Sequence, residues 1–386
     1  MKKTMKKLIA VLMMCAIMVS AAAVGAFAAT ASNVKTYKTY VCLGDSVASG
    51  FGLPDYNRRG KLLVYGKKIA GAYGTLLAKD VRSSTYYPCA YPGFTSAIFR
   101  YCLTDNYQVR DWEINQLENF SYGAYTPQVL AKQRKHIRAA VAKADLITVD
   151  LGVNDTWYSS IALVYEIAKY GQIMGIDPRT TLQEELAKYG SWGTVVRNAM
   201  FYLAGFAENP QLWAYFWGCW IDNLATYFLQ YQDNFNAIMQ GIYDLNPDVT
   251  VVCLASGNSF RSLNLTPGVR SGSYKLSWMG APVQVDIPMI GTVTLPASVH
   301  VSENPIANVT GVMYDFFYEP VRQAWQYKKP GQYYYADVTE YEMIMDHMCI
   351  PMYEFMSLDN SGFNPHATLA GNKYMEQKIL EVLPTR

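Results

Sequence analysis

Little in this 386-residue chain is charged in one direction. Its 33 lysines and arginines stand against 31 aspartates and glutamates, a net of +2. A nearly neutral chain offers no electrostatic case for nucleic acid. Histidine is scarce, with four copies, and no C-x-x-C or His/Cys cluster points to a metal. No internal repeat or low-complexity linker interrupts the sequence. Beyond the N-terminus, long apolar runs are missing too. The most apolar later stretch, Asn209 to Ile221, has 13 residues between Glu208 and Asp222, too short to span a bilayer.

What is present begins with four lysines, an apolar run and Ala26-Phe27-Ala28. That order reads as a signal peptide over residues 1–28, with a small-x-small cleavage site. Residues 29–386 are then expected as one secreted domain. Removing the leader takes four lysines and no acid, leaving a net of −2. No cysteine stands directly after the cut, so a lipid-linked anchor is not expected, and with no later apolar run long enough to span, neither is any other stable membrane anchor. Six cysteines remain. Cys42 and Cys253 lie in apolar, strand-like runs, where a free thiol behaves as a small hydrophobe. The pairing of Cys89, Cys102, Cys219 and Cys349 stays open.

Strand-like and helical patterns alternate along the chain. Strands are expected at 39–44, 84–90, 145–152, 248–256 and 333–342. Helices are expected at 71–81, 127–144 and 231–247. Short apolar β-branched runs separated by helices indicate a parallel sheet covered on both faces. Two segments read as insertions into this rhythm. Residues 156–230 hold much of the aromatic content, including Trp192, Trp213, Trp217 and Trp220, and read as extra helices. Residues 262–302 alternate with period two between Gly and Pro, which reads as a small β-ribbon set.

In an open parallel sheet, ligands bind beyond the carboxyl ends of the strands. The first strand ends in Gly44-Asp45-Ser46. The loop after the second contains YPGFTS, with Gly93. The third ends in GVND, with Asn154 and Asp155, and NPHATLAG places His366 before a C-terminal helix. Four strand-end loops thus offer a hydroxyl, a backbone N–H, a carboxamide and an imidazole. Acyl transfer needs that set: a hydroxyl nucleophile, a base to take its proton, and fixed donors for the oxyanion. Asp45 and Asp155 read as loop-holding residues that bond nearby backbone. His136 reads as a solvated surface residue, and His300 and His347 lack positioned partners.

In these blocks the chain resembles the SGNH (GDSL-type) hydrolase superfamily, over about residues 38–383 without the two insertions. The resemblance implies an α/β fold, a three-layer α/β/α sandwich around a flavodoxin-like parallel sheet. It also implies Ser46 as nucleophile, His366 as base, and Ser46, Gly93 and Asn154 as the oxyanion hole, with no cofactor. The family places an aspartate two or three residues before the histidine; this chain has Asn364 and Phe363 there. Asn364 is the expected partner of His366, with Asp359 or a backbone carbonyl as alternatives. The expected activity is a secreted serine esterase removing short acyl groups, such as acetyl, from a small-molecule or glycan ester. A lipase or phospholipase with an aromatic acyl pocket is one alternative. The other is a catalytically impaired SGNH domain that only binds. The loop 56–68, with Arg58, Arg59, Lys61, Lys67 and Lys68 and no acid, reads as a solvated loop or as an attractor for anionic substrate.

Overall fold

The computed structural model describes residues 33–56, 66–110, 114, 117, 125–156, 230–255, 273–277, 281–287, 291–302, 313–339 and 366–385. The leader, nearly all of the aromatic segment, most of the basic loop, and Asn364, Asp359, Cys219, Cys349 and His347 lie outside the described residues.

Five parallel strands form the central sheet. In chain order they are β1 (Thr39–Gly44), β2 (Thr85–Ala90), β3 (Leu146–Asp150), β4 (Thr250–Leu254) and β9 (Tyr333–Ala336). In space they run β2-β1-β3-β4-β9, the flavodoxin-like order. β3 and β4 are buried at every residue, as their unbroken apolar runs require. β1 shows how one strand serves two layers. Val41 and Leu43 face a core that also holds Ile98, Phe99, Ile137, Phe235 and Val321. Tyr40 and Cys42 face the opposite core with Tyr73, Leu77 and Ile379. Successive side chains of a strand point to opposite faces, so helices must cover both.

The first face carries α2 (Ser96–Leu103), α3 (Pro127–Val141), α4 (Gln230–Leu245) and α5 (Glu319–Lys328). The second carries α1 (Tyr73–Asp80) and α6 (Leu369–Val382). The fold is therefore the expected three-layer α/β/α arrangement. Threonines start three of these helices: Thr95, Thr126 and Thr368 accept the N–H of Ile98, Val129 and Gly371. Each relieves one of the unpaired donors of a first helical turn. At the other end of α3, the side chain of Asn246 donates to the carbonyls of Val141 and Ala144 at 2.9 and 2.8 Å.

Two features depart from the sequence pattern. The fifth sheet strand ends its pairing with β4 at Ala336, opposite Leu254, short of the expected 342; residues 340–342 lie outside the described residues. α2 carries no sequence expectation at all. Its SAIFRYCL is buried at six of eight positions, so the polar face that marks an amphipathic helix is too narrow to read. Between 262 and 302, β5 (Ser273–Ser277) pairs antiparallel with β8 (Ser298–Ser302), and β6 (Val283–Ile287) with β7 (Gly291–Leu295). A π-helical segment, Met313–Tyr318, leads into α5.

Cys42 and Cys253 are buried free thiols, as expected, and so are Cys89 and Cys102. His136 is exposed. Among the described residues no helix is long and apolar enough to cross a membrane, and no group of three His, Cys, Asp or Glu side chains is placed to hold a metal.

Candidate active site

β1 delivers Ser46 to the carboxyl end of the sheet through a crossing with no room for a side chain. A Cβ on Gly44 would stand 2.4 Å from the Ala48 Cβ and 2.5 Å from the Asp150 carbonyl oxygen. Past it, the Asp45 N–H donates to that carbonyl at 3.2 Å. The Asp45 carboxyl accepts the Val47 N–H at 2.9 Å, the loop-holding role expected of it. The Ser46 carbonyl then accepts the Ser49 hydroxyl at 2.8 Å and the Phe51 N–H at 3.1 Å. Ser46 thus sits in a turn closed on both sides, 6% exposed.

Beneath this turn lie two buried acids. Burial pushes the Asp45 carboxyl well above its ordinary range, and the charge of Asp150 adds to the shift. Asp150 is pushed up to about 6 by burial, with Arg322 opposing. One oxygen of each has no hydrogen-bond partner among the described residues. Burial and the Asp150 charge favour a neutral Asp45 beside Ser46, and a carboxyl that already holds its proton cannot take one from Ser46.

The second and third loops are clasped together by adjacent residues of one motif. Asn154 donates from its side-chain nitrogen to the Phe94 carbonyl at 2.9 Å. Asp155 accepts the Ser96 N–H at 2.8 Å and the Ser96 hydroxyl at 2.5 Å. Ser96 in turn accepts from Asn234 at 3.0 Å, and Asn234 accepts from Arg100 at 3.1 Å. Gly93 precedes the clasp with φ 85°. The Tyr91 N–H donates to the Gly44 carbonyl at 2.8 Å, tying the second loop to the first. A carboxamide carries two N–H donors. The bond to Phe94 takes one and aims the amide, which leaves the other for a ligand.

His366 is half-buried, and its ring centroid lies 4.6 Å from that of Phe51, the residue bonded to the Ser46 carbonyl. Its loop is bolted down by Asn372 of α6. The Asn372 side chain donates to the carbonyls of Ala367 and Thr368 at 3.1 and 3.0 Å and accepts the Tyr73 N–H at 3.0 Å. Ser46, Gly93 and Asn154 are joined by direct links between their loops, and His366 reaches them through Phe51. Asn364 is outside the described residues.

Sequence reasoning missed Asn372, Phe51, Asn234 and Arg322. Arg322 is fully buried. Its guanidinium donates to Glu319 at 2.8 Å, to the Tyr231 hydroxyl at 2.8 Å, to the Leu254 carbonyl at 3.3 Å and to the Leu151 carbonyl. Nothing in EPVRQAW marks it, because arginine on a helix is ordinarily a surface residue.

No protein-family model matches the chain, and no curated protein matches it by sequence. Among solved structures it is similar to an extracellular lipase from Streptomyces rimosus, at 13% identity and TM-score 0.43, over 89% of this chain and 98% of that one. It is similar to phospholipase A1 from Streptomyces albidoflavus NA297, at 13% identity and TM-score 0.40, over 90% of this chain and 99% of that one. A possible lipase from Chitinophaga pinensis aligns at 13% identity and TM-score 0.33, over 89% and 96%.

Proposed function

We propose that this protein is an exported serine esterase acting on short acyl esters of small molecules or glycans. One observation carries the reading. At the carboxyl end of a parallel sheet, the Ser46 turn, the Gly93 loop and Asn154 are held together by named hydrogen bonds, and the imidazole of His366 packs on Phe51, whose N–H donates to the Ser46 carbonyl.

In this reading His366 takes the Ser46 proton as the hydroxyl oxygen attacks the ester carbonyl carbon. The carbonyl oxygen becomes an oxyanion, met by the N–H groups of Ser46 and Gly93 and the second N–H of Asn154. Donors fixed before the reaction stabilise that charge without reorganising. Collapse expels the alcohol, which takes the proton back from His366. Water, activated by the same imidazole, then frees the acid and restores Ser46. Asn364 is proposed to accept from the second ring nitrogen of His366 and hold its tautomer, a role an asparagine fills in some cysteine proteases.

Fluorophosphonate labelling and hydrolysis of nitrophenyl esters of increasing chain length test the proposal. The wild type should be labelled and should favour acetyl and butyryl esters, and Ser46→Ala should lose both signals while staying folded. Unchanged turnover in pure Ser46→Ala would remove the mechanism. A preference for long acyl chains would move the activity to the lipase reading. Absence of labelling in the wild type would leave a binding domain.

A further inference from the structure

We infer that Arg322 is a positioning residue of this site, holding the end of β3 so that Asn154 meets the oxyanion. Its effect on catalysis rests on the esterase reading; its effect on the loop does not.

A guanidinium taken wholly out of water costs several kcal/mol unless its donors are satisfied. An ion pair with Glu319, three residues earlier on the same helix, would serve for a purely structural arginine. Arg322 goes further. It sends donors to the Leu151 and Leu254 carbonyls, just beyond the end of β3 and at the end of β4. There the chain leaves the sheet, and carbonyls that leave a ladder need new donors. The Tyr231 hydroxyl donates to the same Leu151 oxygen at 3.4 Å and accepts from Arg322. The peptide that opens Gly152-Val153-Asn154-Asp155 is therefore gripped by two side chains.

Gly152 shows how close the grip is. It adopts φ 118°, and a Cβ there would stand 2.7 Å from an Arg322 terminal nitrogen and 2.9 Å from the Tyr231 ring. The guanidinium fills the space a side chain would occupy. Its planar fork fixes direction as well as charge, which an ammonium group cannot do. Glu319 also accepts from the Tyr335 hydroxyl of β9, so the clamp reaches three strands. The Arg322 charge acts on Asp45 and Asp150 too, against their burial.

A double-mutant cycle with Asn154 tests this. Arg322→Lys and Arg322→Met should each lower kcat for nitrophenyl acetate about tenfold or more, with KM within about twofold, since misplacement by an ångström costs on the order of 10². In an Asn154→Ala background the same changes should cost less than about twofold, because residues acting through one group are not additive. Tyr231→Phe, which keeps the charge and nearly all the volume, should give a smaller loss of the same kind and serves if the arginine variants do not fold. Unchanged kcat in folded variants, or equal fold-losses in both backgrounds, would overturn the inference. If the wild type neither hydrolyses esters nor takes a fluorophosphonate, the esterase reading falls, and hydrogen exchange decides the rest. Faster exchange at 152–156 in Tyr231→Phe or Arg322→Lys, with β1 unchanged, supports the clamp; equal exchange removes it.

Discussion

The side-chain amide of Asn154 and the carbonyl of Phe94 meet at 2.9 Å across sixty residues of chain. The bond does two jobs. It fixes the distance between the loops after β2 and β3, and it turns the remaining amide N–H of Asn154 in one direction. Asp155 repeats the clasp one residue later on Ser96. Two neighbouring side chains thus set the spacing of two candidate oxyanion donors.

Asp155→Ala should separate this clasp from the nucleophile. The Ser96 N–H and hydroxyl lose their acceptor, and a stranded buried donor costs about 1–3 kcal/mol. Urea unfolding should show a lower midpoint with an unchanged slope. Ester turnover should fall about tenfold or more, because a donor misplaced by an ångström costs on the order of 10² in rate. An unchanged midpoint would mean that the loops are held elsewhere.

Gly152→Ala should be damaging out of proportion to one methyl group. At φ 118° an L side chain is strained, and the methyl would meet Arg322 and Tyr231 well inside contact distance. Alanine at such a position destabilises by more than about 1 kcal/mol. Thermal melting of the pure variant checks this, and a melting temperature equal to wild type would contradict the packing described.

Asn372→Ala should act on the His366 loop from the far side of α6. The change strands the Tyr73 N–H and takes a side-chain donor from the carbonyls of Ala367 and Thr368. A stranded buried group costs about 1–3 kcal/mol. Fluorophosphonate labelling of Ser46 should slow while the Ser46 turn itself, which Asn372 does not touch, stays intact. Equal labelling rates in folded protein would detach Asn372 from the site.

Glu376, also on α6, gives a pH dependence with a definite sign. Burial raises its carboxyl from 4.5 to about 8, and the neighbouring Asp80 adds to the rise. The folded protein therefore holds a proton that the unfolded chain releases between about pH 4.5 and 8. Stability must then fall as pH rises through that window. Glu376→Gln should flatten the slope of melting temperature between pH 5 and 8 and raise stability at pH 8. A slope equal to wild type would show that Glu376 titrates normally.

The five strands and the helices α1, α3, α4 and α6 were legible in the sequence because they follow from spacing along the chain, whereas α2 and α5 were not. Unbroken runs such as LITVD can only be buried on both faces. The strand-end placement of Ser46, Gly93, Asn154 and His366 followed from the same patterns. Asp45 and Asp155 were readable as loop holders because short acids bond backbone wherever they stand. Tertiary structure alone decided what those loops are fastened to. Tyr73 and Asn372 meet across 299 residues, and Arg322 chose the Leu151 carbonyl 171 residues away. Every residue has a carbonyl oxygen, so an acceptor of that kind leaves no mark in the sequence. A buried arginine is also written with the same letter as a solvated one, and only packing from both sides of the chain separates them.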